Sequence, residues 1–312
     1  MREALNTAAV RLFLEVVEAG SLSKVAARRQ TAQSYVSRQI TDFETALGGV
    51  LFRRTGRGVA LTEFGEHAAA RLRAWLHETE SLSETLRAAS GALRGEVRLG
   101  IIPSAAHPLV TRLYARLQEE HAGIRLNIIE AQGTELDGLL DAGLVDMAVL
   151  FRFQPPNGQE EHLLSLAHTY LISAPGDPLT QHATVDFAAL KGLRLVLPRR
   201  PSHWRTALED TARSQGFRLE TVVEADSLTV QKCLVAHTPG LYSVLGPYSI
   251  VQERRAGVLQ ASRLVRPELV RHVALALPKQ GKLSPACRVV AQQLRALVSA
   301  WGDRLLEPGS EA

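Results

Sequence analysis

The sequence predicts an α/β protein of two similar units, preceded by a small helical module that ends in a hairpin. Three observations carry this. From residue 96 onward, short apolar strands alternate with amphipathic helices, the pattern of a mostly parallel sheet. The first fifty residues show the 3–4 spacing of short amphipathic helices instead, broken by glycines and small polar residues. Between them runs a long helical segment whose apolar residues recur in heptads.

Ala4 to Ala19 places Leu5, Ala9, Leu12, Phe13, Val16 and Val17 on one helical face, and Gly20 ends that helix. Ser23 stands where it would cap a short second helix, about Lys24 to Arg29. Thr31 stands where it would cap a third, Ala32 to about Leu47, closed by Gly48 and Gly49. "VLFRRTGRGVALT" alternates about a Gly-Arg-Gly turn, as a two-stranded hairpin does. Thr62 reads as the cap of the long helix, which reaches about Ala89. Along it Ala68, Leu72, Trp75, Thr79, Leu82 and Leu86 form a 4-3-4-3-4 seam that asks for a partner helix. The plainer alternative is a lone amphipathic helix lying on its own domain. "ASGALRG" follows as a hinge.

Beyond the hinge, "EVRLGII", "IRLNIIEA" and "DMAVLF" read as strands, with helices to about Glu120 and near Glu135 to Asp141. A second unit starts near Leu163. It holds the strands "TYLISAP", "LRLVLP", "ETVVEA" and "YSVLGP", with helices near Trp204 to Gln215 and Ser227 to Ala236. "HVALALP" and a helix from Pro285 to Arg304 close the chain. Two such units joined by crossovers leave a cleft between them suited to a small molecule.

Composition bounds the function. A chain of 312 residues supports more than one core. Its net charge of +4 is modest, but the excess is local. Between Gly20 and Ala60 stand Lys24, Arg28, Arg29, Arg38, Arg53, Arg54 and Arg57, against only Asp42 and Glu44. A basic face of this kind suits a polyanion. Cys233 and Cys287 make neither a disulfide framework nor a CxxC pair, which fits a reducing cytoplasm. The N-terminus carries Glu3, Arg11, Glu15 and Glu18 through its apolar residues and so does not read as a signal peptide. No run approaches the roughly 18 apolar residues of a membrane span. The sequence contains no GxSxG, HExxH, GxxxxGK[ST] or CxxC, so no enzyme, metal site or cofactor is expected.

Taken whole, "GSLSKVAARRQTAQSYVSRQITDFETALGGVLFRRTGRGVALTEFG" resembles the DNA-binding segment of the LysR-type transcriptional regulators. "DSLTVQKCLVAHTPGLYSVLGPYSI" is similar to the second lobe of their effector domain. Three places depart from the family pattern: Arg29 replaces a core Leu, Ala32 replaces a small hydroxyl residue, and Pro239-Gly240 stands where the family commonly has Gly-x-Gly. The resemblance implies a winged helix-turn-helix domain over 1–62 and a dimerising linker helix over 63–90. It also implies a two-lobed effector domain like periplasmic binding proteins over 95–304. Lobe I would take about 95–162 and 270–304, and lobe II about 163–269.

It further implies roles for particular residues. The start of the third helix would enter the major groove, so Gln33, Ser34 and Ser37 would face base edges with Arg38 beside them. Ser21 and Thr31, at helix starts, would meet phosphate, and Arg53, Arg54 and Arg57 would reach backbone or minor groove. An effector between the lobes, small and anionic or polar, would meet Ser104, Thr134, Phe151, Ser202 and His203. Helix capping is the plainer role of Ser104 and Thr134. The partners implied are double-stranded operator DNA, a small-molecule effector, and a second copy in a homodimer or dimer of dimers. RNA polymerase is a further one, and no membrane is expected. The effector half alone would suit a solute-binding protein, and the N-terminal half alone a ligand-independent DNA-binding protein.

Overall fold

The computed structural model describes residues 6–56, 58–88, 93–156, 160–278 and 283–301. Arg57 and residues 89–92 of the hinge lie outside them. Helix α1 (Thr7–Ala19) is capped by Asn6, whose side chain accepts from the Ala9 N–H at 2.7 Å. Gly20, at φ 60°, ends it. Helix α2 (Leu22–Arg28) then starts at once. Its cap is Ser21, which accepts from the Lys24 N–H, not Ser23 as the sequence implies. Helix α3 (Gln33–Leu47) is a second correction. Ala32 holds the cap position without a side-chain bond, and the Thr31 N–H closes the preceding turn onto the Ala26 carbonyl at 3.0 Å.

Strands β1 (Phe52–Thr55) and β2 (Gly58–Leu61) pair antiparallel as the hairpin. Two devices tie it down. Glu44 accepts from the N–H groups of Leu51 and Phe52 at 2.7 and 3.2 Å. Val59 donates its N–H to the Gly20 carbonyl at 2.9 Å. That approach requires Gly58: its φ is 149°, and a Cβ there would lie 2.2 Å from the Gly20 oxygen.

Helix α4 (Glu63–Ala88) is capped by Thr62, which accepts from the Gly65 N–H at 2.9 Å. The heptad seam divides. Leu72 is buried in this chain's own N-terminal core with Val10, Phe13, Val25, Val36 and Phe43. Leu82 and Leu86 are 60% and 67% exposed. The expectation that all three leucines face a second chain is therefore corrected for Leu72.

The first lobe comprises β3 (Gly95–Ile101), α5 (Pro103–Glu120), β4 (Ile124–Glu130), α6 (Gly133–Asp141), β5 (Met147–Arg152) and β6 (Glu161–Ala167). The chain crosses over to β7 (Tyr170–Ser173), β8 (Thr184–Asp186), β9 (Arg194–Leu197), α7 (His203–Ser214), β10 (Glu220–Glu224), α8 (Leu228–His237), β11 (Leu241–Leu245), α9 (Val251–Arg255) and β12 (Gln260–Val265). It returns through β13 (Arg271–Ala276) to α10 (Pro285–Trp301). The sheet orders are β4-β3-β5-β13-β6 and β10-β9-β11-β7-β12-β8.

The first sheet is parallel at one side and antiparallel at the other, and the second has β7 antiparallel between two parallel groups, β10-β9-β11 and β12-β8. Strands β4, β3 and β5 run parallel, and β13 pairs antiparallel with both β5 and β6. Residues 163–167, assigned by sequence to the second lobe, therefore belong to the first. The pairing of β6 with β13 joins segments about a hundred residues apart, and nothing local announces it. In the second sheet Leu195 and Leu197 pack on one face and Val196 on the other. Burial on both faces makes Leu195, Val196 and Leu197 a continuous apolar run.

A buried carboxylate anchors α4 to lobe I. Asp146, 2% exposed, accepts from the Arg98 backbone N–H at 2.7 Å and from Arg98 Nη2 at 2.5 Å, and lies 3.4 Å from His77 Nδ1 of α4. Burial opposes the Arg98 charge, but the Asp146 hydrogen bonds and charge outweigh it and raise its pKa. We expect Asp146→Ala to cost about 3 kcal/mol, because the half-buried guanidinium and a backbone N–H lose their acceptor. Urea unfolding at neutral pH checks this; a loss below about 1 kcal/mol would mean that water replaces the carboxylate.

Candidate nucleic-acid interface and interlobe cavity

The first site is the start of α3 with the hairpin. The buried side of α3 is Val36, Ile40 and Phe43, which turns Gln33, Ser34 and Arg38 outward and leaves Ser37 half-exposed. Ser23 of α2 donates to Gln33 Oε1 at 2.9 Å, so the residue expected to cap α2 holds the Gln33 amide instead. Ser21 is spent on its cap, and Thr31 is half-exposed at the turn. Arg53 and Arg54 are exposed on β1. No ion pair engages Arg38, Arg53 or Arg54 among the described residues, whereas Arg29 is held by Glu15 through two bonds of 2.7 Å. Arg29, where the family has a core Leu, is thus exposed and adds no free charge.

The second site is a cavity of about 650 Å³ between the lobes. All five sequence-derived candidates, Ser104, Thr134, Phe151, Ser202 and His203, line it. Their local roles differ. Ser104 and Thr134 lie within the first turns of α5 and α6, whose cap positions are Ile102 and Gln132 without side-chain bonds. Neither hydroxyl is used for capping, and both helix starts keep unsatisfied N–H groups. Ser202 is different: it caps α7, accepting from the Arg205 N–H at 3.3 Å. His203 is exposed at the first position of that helix.

The arginines around the start of α7 are held by acids. Arg199 binds Asp226 through Nε at 2.6 Å. Arg200 pairs with Glu209, and Arg205 with Glu209 and Glu224. On the first-lobe side, Arg152 pairs with Asp137 and Glu161. The Asp137 hydrogen bond comes first among the causes that hold its pKa well above the ordinary value.

Arg271 is the exception, and sequence reasoning missed it. It is 5% exposed, and its Nε and Nη2 have no hydrogen-bond partner. Its guanidinium carbon lies 4.2 Å from the ring centre of Phe151 and 4.3 Å from that of Trp204, one ring from each lobe. The Trp204 indole is fixed by donating Nε1–H to the Val244 carbonyl at 3.1 Å, and the Phe153 ring lies nearly parallel to it, 6.3 Å away at 6°. Burial draws the Arg271 pKa down to about 10, so the group remains charged at neutral pH. Two cation–π contacts of about 0.5–2 kcal/mol each offset part of that burial but supply no acceptor. The one signal in the sequence was a lone arginine opening the apolar run "RHVALALP".

Among the described residues no helix is long and apolar enough to cross a membrane, and no group of His, Cys, Asp and Glu could hold a metal. A helical module with a basic hairpin, joined by a long helix to two lobes around a cavity, defines the class of ligand-responsive DNA-binding regulators. Comparison with known proteins makes the assignment. The model of the LysR substrate binding domain matches residues 90–299, and that of the bacterial regulatory helix-turn-helix protein, lysR family, matches 7–66. The chain belongs to the LysR family of transcriptional regulators, and sequence-specific DNA binding and self-association come with that membership.

Among its relatives, the nitrogen assimilation regulatory protein nac of Klebsiella aerogenes is 27% identical over 298 residues, covering 95% of this chain and 96% of its own. The HTH-type transcriptional regulator EstR of Acinetobacter baylyi is 38% identical over 173 residues, 55% of this chain and 58% of its own. A full-length OxyR variant from Pseudomonas aeruginosa shares the fold at a TM-score of 0.72 and 22% identity, covering 94% of both chains.

The division of roles between the serines is testable. Ser202→Ala removes a helix cap and should cost about 1 kcal/mol. Ser104→Ala removes no cap, so thermal unfolding without ligand should leave it near wild type. Equal losses for the two variants would contradict the assignment.

Proposed function

We propose that this regulator reads DNA through Gln33, Ser34, Ser37 and Arg38, holds the phosphate backbone through Ser21, Thr31, Arg53, Arg54 and Arg57, and answers to a small anionic or polar molecule between its lobes. The observation that carries the effector reading is the cavity, whose walls come from both lobes. A molecule touching both lobes favours one relative arrangement of them, and only such a preference can shift an equilibrium. The hydroxyls of Ser104 and Thr134 beside uncapped helix starts favour a negative or strongly polar ligand. The division into 1–62, 63–90 and 95–304, with lobe I extended to about 167, is part of the same reading. So are action in the cytoplasm and contact with RNA polymerase. Thermal shift and DNA footprinting against a metabolite panel test it. Ser104→Ala and Thr134→Ala should weaken the response and leave effector-free DNA binding unchanged. If no metabolite moves either readout, the cavity is not an effector site.

The DNA half makes its own prediction. Gln33 presents an amide that can pair bidentately with adenine, so Gln33→Ala should cost about 1–3 kcal/mol on the specific site and little on random DNA. Arg54→Ala should weaken both alike and lower the salt slope by about 1. Equal loss on both DNAs for Gln33→Ala would remove it from base readout.

We infer further that α4 joins two copies into a homodimer, or dimer of dimers. Leu82 and Leu86 lie exposed one turn apart on its outer half, which supports this. Leu82→Asp should yield monomers with lost operator affinity, since the charge would be buried unpaired at the seam. Sedimentation showing an intact dimer rejects the seam.

A further inference from the structure

The charges around the cavity leave one cation over. Of the arginines lining it, Arg152, Arg199 and Arg200 are each held by a carboxylate, and those pairs also consume the lining acids Asp137 and Asp226. Arg271 lines the same cavity with no such partner, and its Nε and Nη2 are sealed from water. A buried guanidinium without an acceptor is costly to the folded state, and the two cation–π contacts offset only part of that cost. Its position is enforced. Arg271 is the first residue of β13, where the chain returns from lobe II to lobe I, and a ring from each lobe packs on its guanidinium. Nη2 occupies the space that a side chain at 246 would fill: a Cβ on Gly246 would stand 2.1 Å from it. Of the three guanidinium nitrogens only Nη1 is not sealed, so an acceptor in the cavity meets the group at its Nη1–Nη2 end.

Resting on the reading of the cavity as the effector site, we propose that Arg271 is the anchor for the carboxylate of a monocarboxylic acid whose apolar body lies along Trp204 and Phe153. One unpaired cation matches one negative charge. A planar fork matches a carboxylate better than any other small anion. The rest of the wall supports an apolar body: Phe153 is 42% exposed and stacked on Trp204, and Ile102, Leu228 and Leu245 complete that side. A second carboxylate would find every other cation taken. Because the clamp spans the crossing between lobes, the ligand acts where their relative orientation is set.

The test uses the full chain and four probes: phenylacetate, hexanoate, phenylacetamide and adipate. Phenylacetate and hexanoate, at about ten times their Kd, should raise the melting temperature by about 3–5 °C. Phenylacetamide, with the same body and no charge, should leave it unmoved, and adipate should bind at least about tenfold more weakly than hexanoate. Arg271→Met should lose the response and, without ligand, melt at or above wild type, because an unpaired buried charge is gone and a flexible thioether fills the clamp. Arg271→Lys should keep the charge, lose the fork and weaken the response at least about tenfold. A structural arginine would behave oppositely, with Arg271→Met unstable before any ligand is added, and that result overturns the proposal. So does equal stabilisation by phenylacetamide, or a wild type indifferent to both monocarboxylates. If Arg271→Met keeps its phenylacetate shift while Ser104→Ala and Thr134→Ala lose theirs, the anchor falls and the cavity remains the effector site.

Discussion

The lobes of this protein meet around a cation that the fold withdraws from water without giving it an acceptor. Arg271 opens β13, the strand that returns the chain to lobe I and pairs with both β5 and β6. Phe151 on β5 and Trp204 on α7 each pack a ring on its guanidinium. The cavity, the crossing and the clamp are therefore one feature. Any change in the angle between lobes must slide one ring across the guanidinium, and any acceptor delivered there is felt by both lobes. Proteins retain such destabilising groups where function needs them, because packing elsewhere outweighs the cost. The first-lobe core behind β5, with Met147, Val149, Leu150 and Leu294 all fully buried, is the source of that surplus.

The same accounting of partners explains where charge is free at the other end of the molecule. Two acids near the basic segment are committed to structure: Glu15 neutralises Arg29, and Glu44 binds the backbone N–H groups that start the hairpin. Their use removes competition for Arg38, Arg53 and Arg54, which stay exposed around the start of α3. Ser23 is likewise diverted from capping to hold the Gln33 side chain. Orienting one amide in advance reduces the rotamer freedom that must be lost when it meets a base edge.

Much of the fold was legible because it is locally determined. The glycine stops at 20 and 48, the Thr62 cap and the period of each amphipathic helix depend on a few neighbouring residues. Errors of one or two positions arose where several small polar residues crowd a helix start. Ser21 and Ser23 both suit a cap, and only the close turn at Gly20 selects Ser21. The extent of β6 was illegible, since its half-exposed residues gain strand identity only from distant β13. Ser104 and Thr134 could be placed on the cavity because strand-to-helix junctions fall at the open end of a sheet. Arg271 could not, because its character comes from what is missing around it. An absent acceptor has no sequence signature. Arg199, Arg200 and Arg205, by contrast, are each paired, with Asp226, Glu209 and Glu224 as their acids.

Helix α4 shows how one amphipathic pattern serves more than one surface. Its first turns give Ala69 and Leu72 to the N-terminal core, and its middle docks His77 against the Asp146–Arg98 pair of lobe I. Its outer half presents Leu82 and Leu86. A heptad reading merges these uses, because the period records only that a stripe is apolar, not what covers it. The distribution matters for coupling. A rigid helix fixed at one end in the DNA-reading module and at its middle on lobe I carries the orientation of that lobe to the module. Lobe II contributes no comparable bond to α4 among the described residues, so its movement reaches DNA only through lobe I or through a second copy. The crossing at Arg271 is one of two that join the lobes, the other running from β6 to β7, and it returns the chain to the lobe on which α4 is docked.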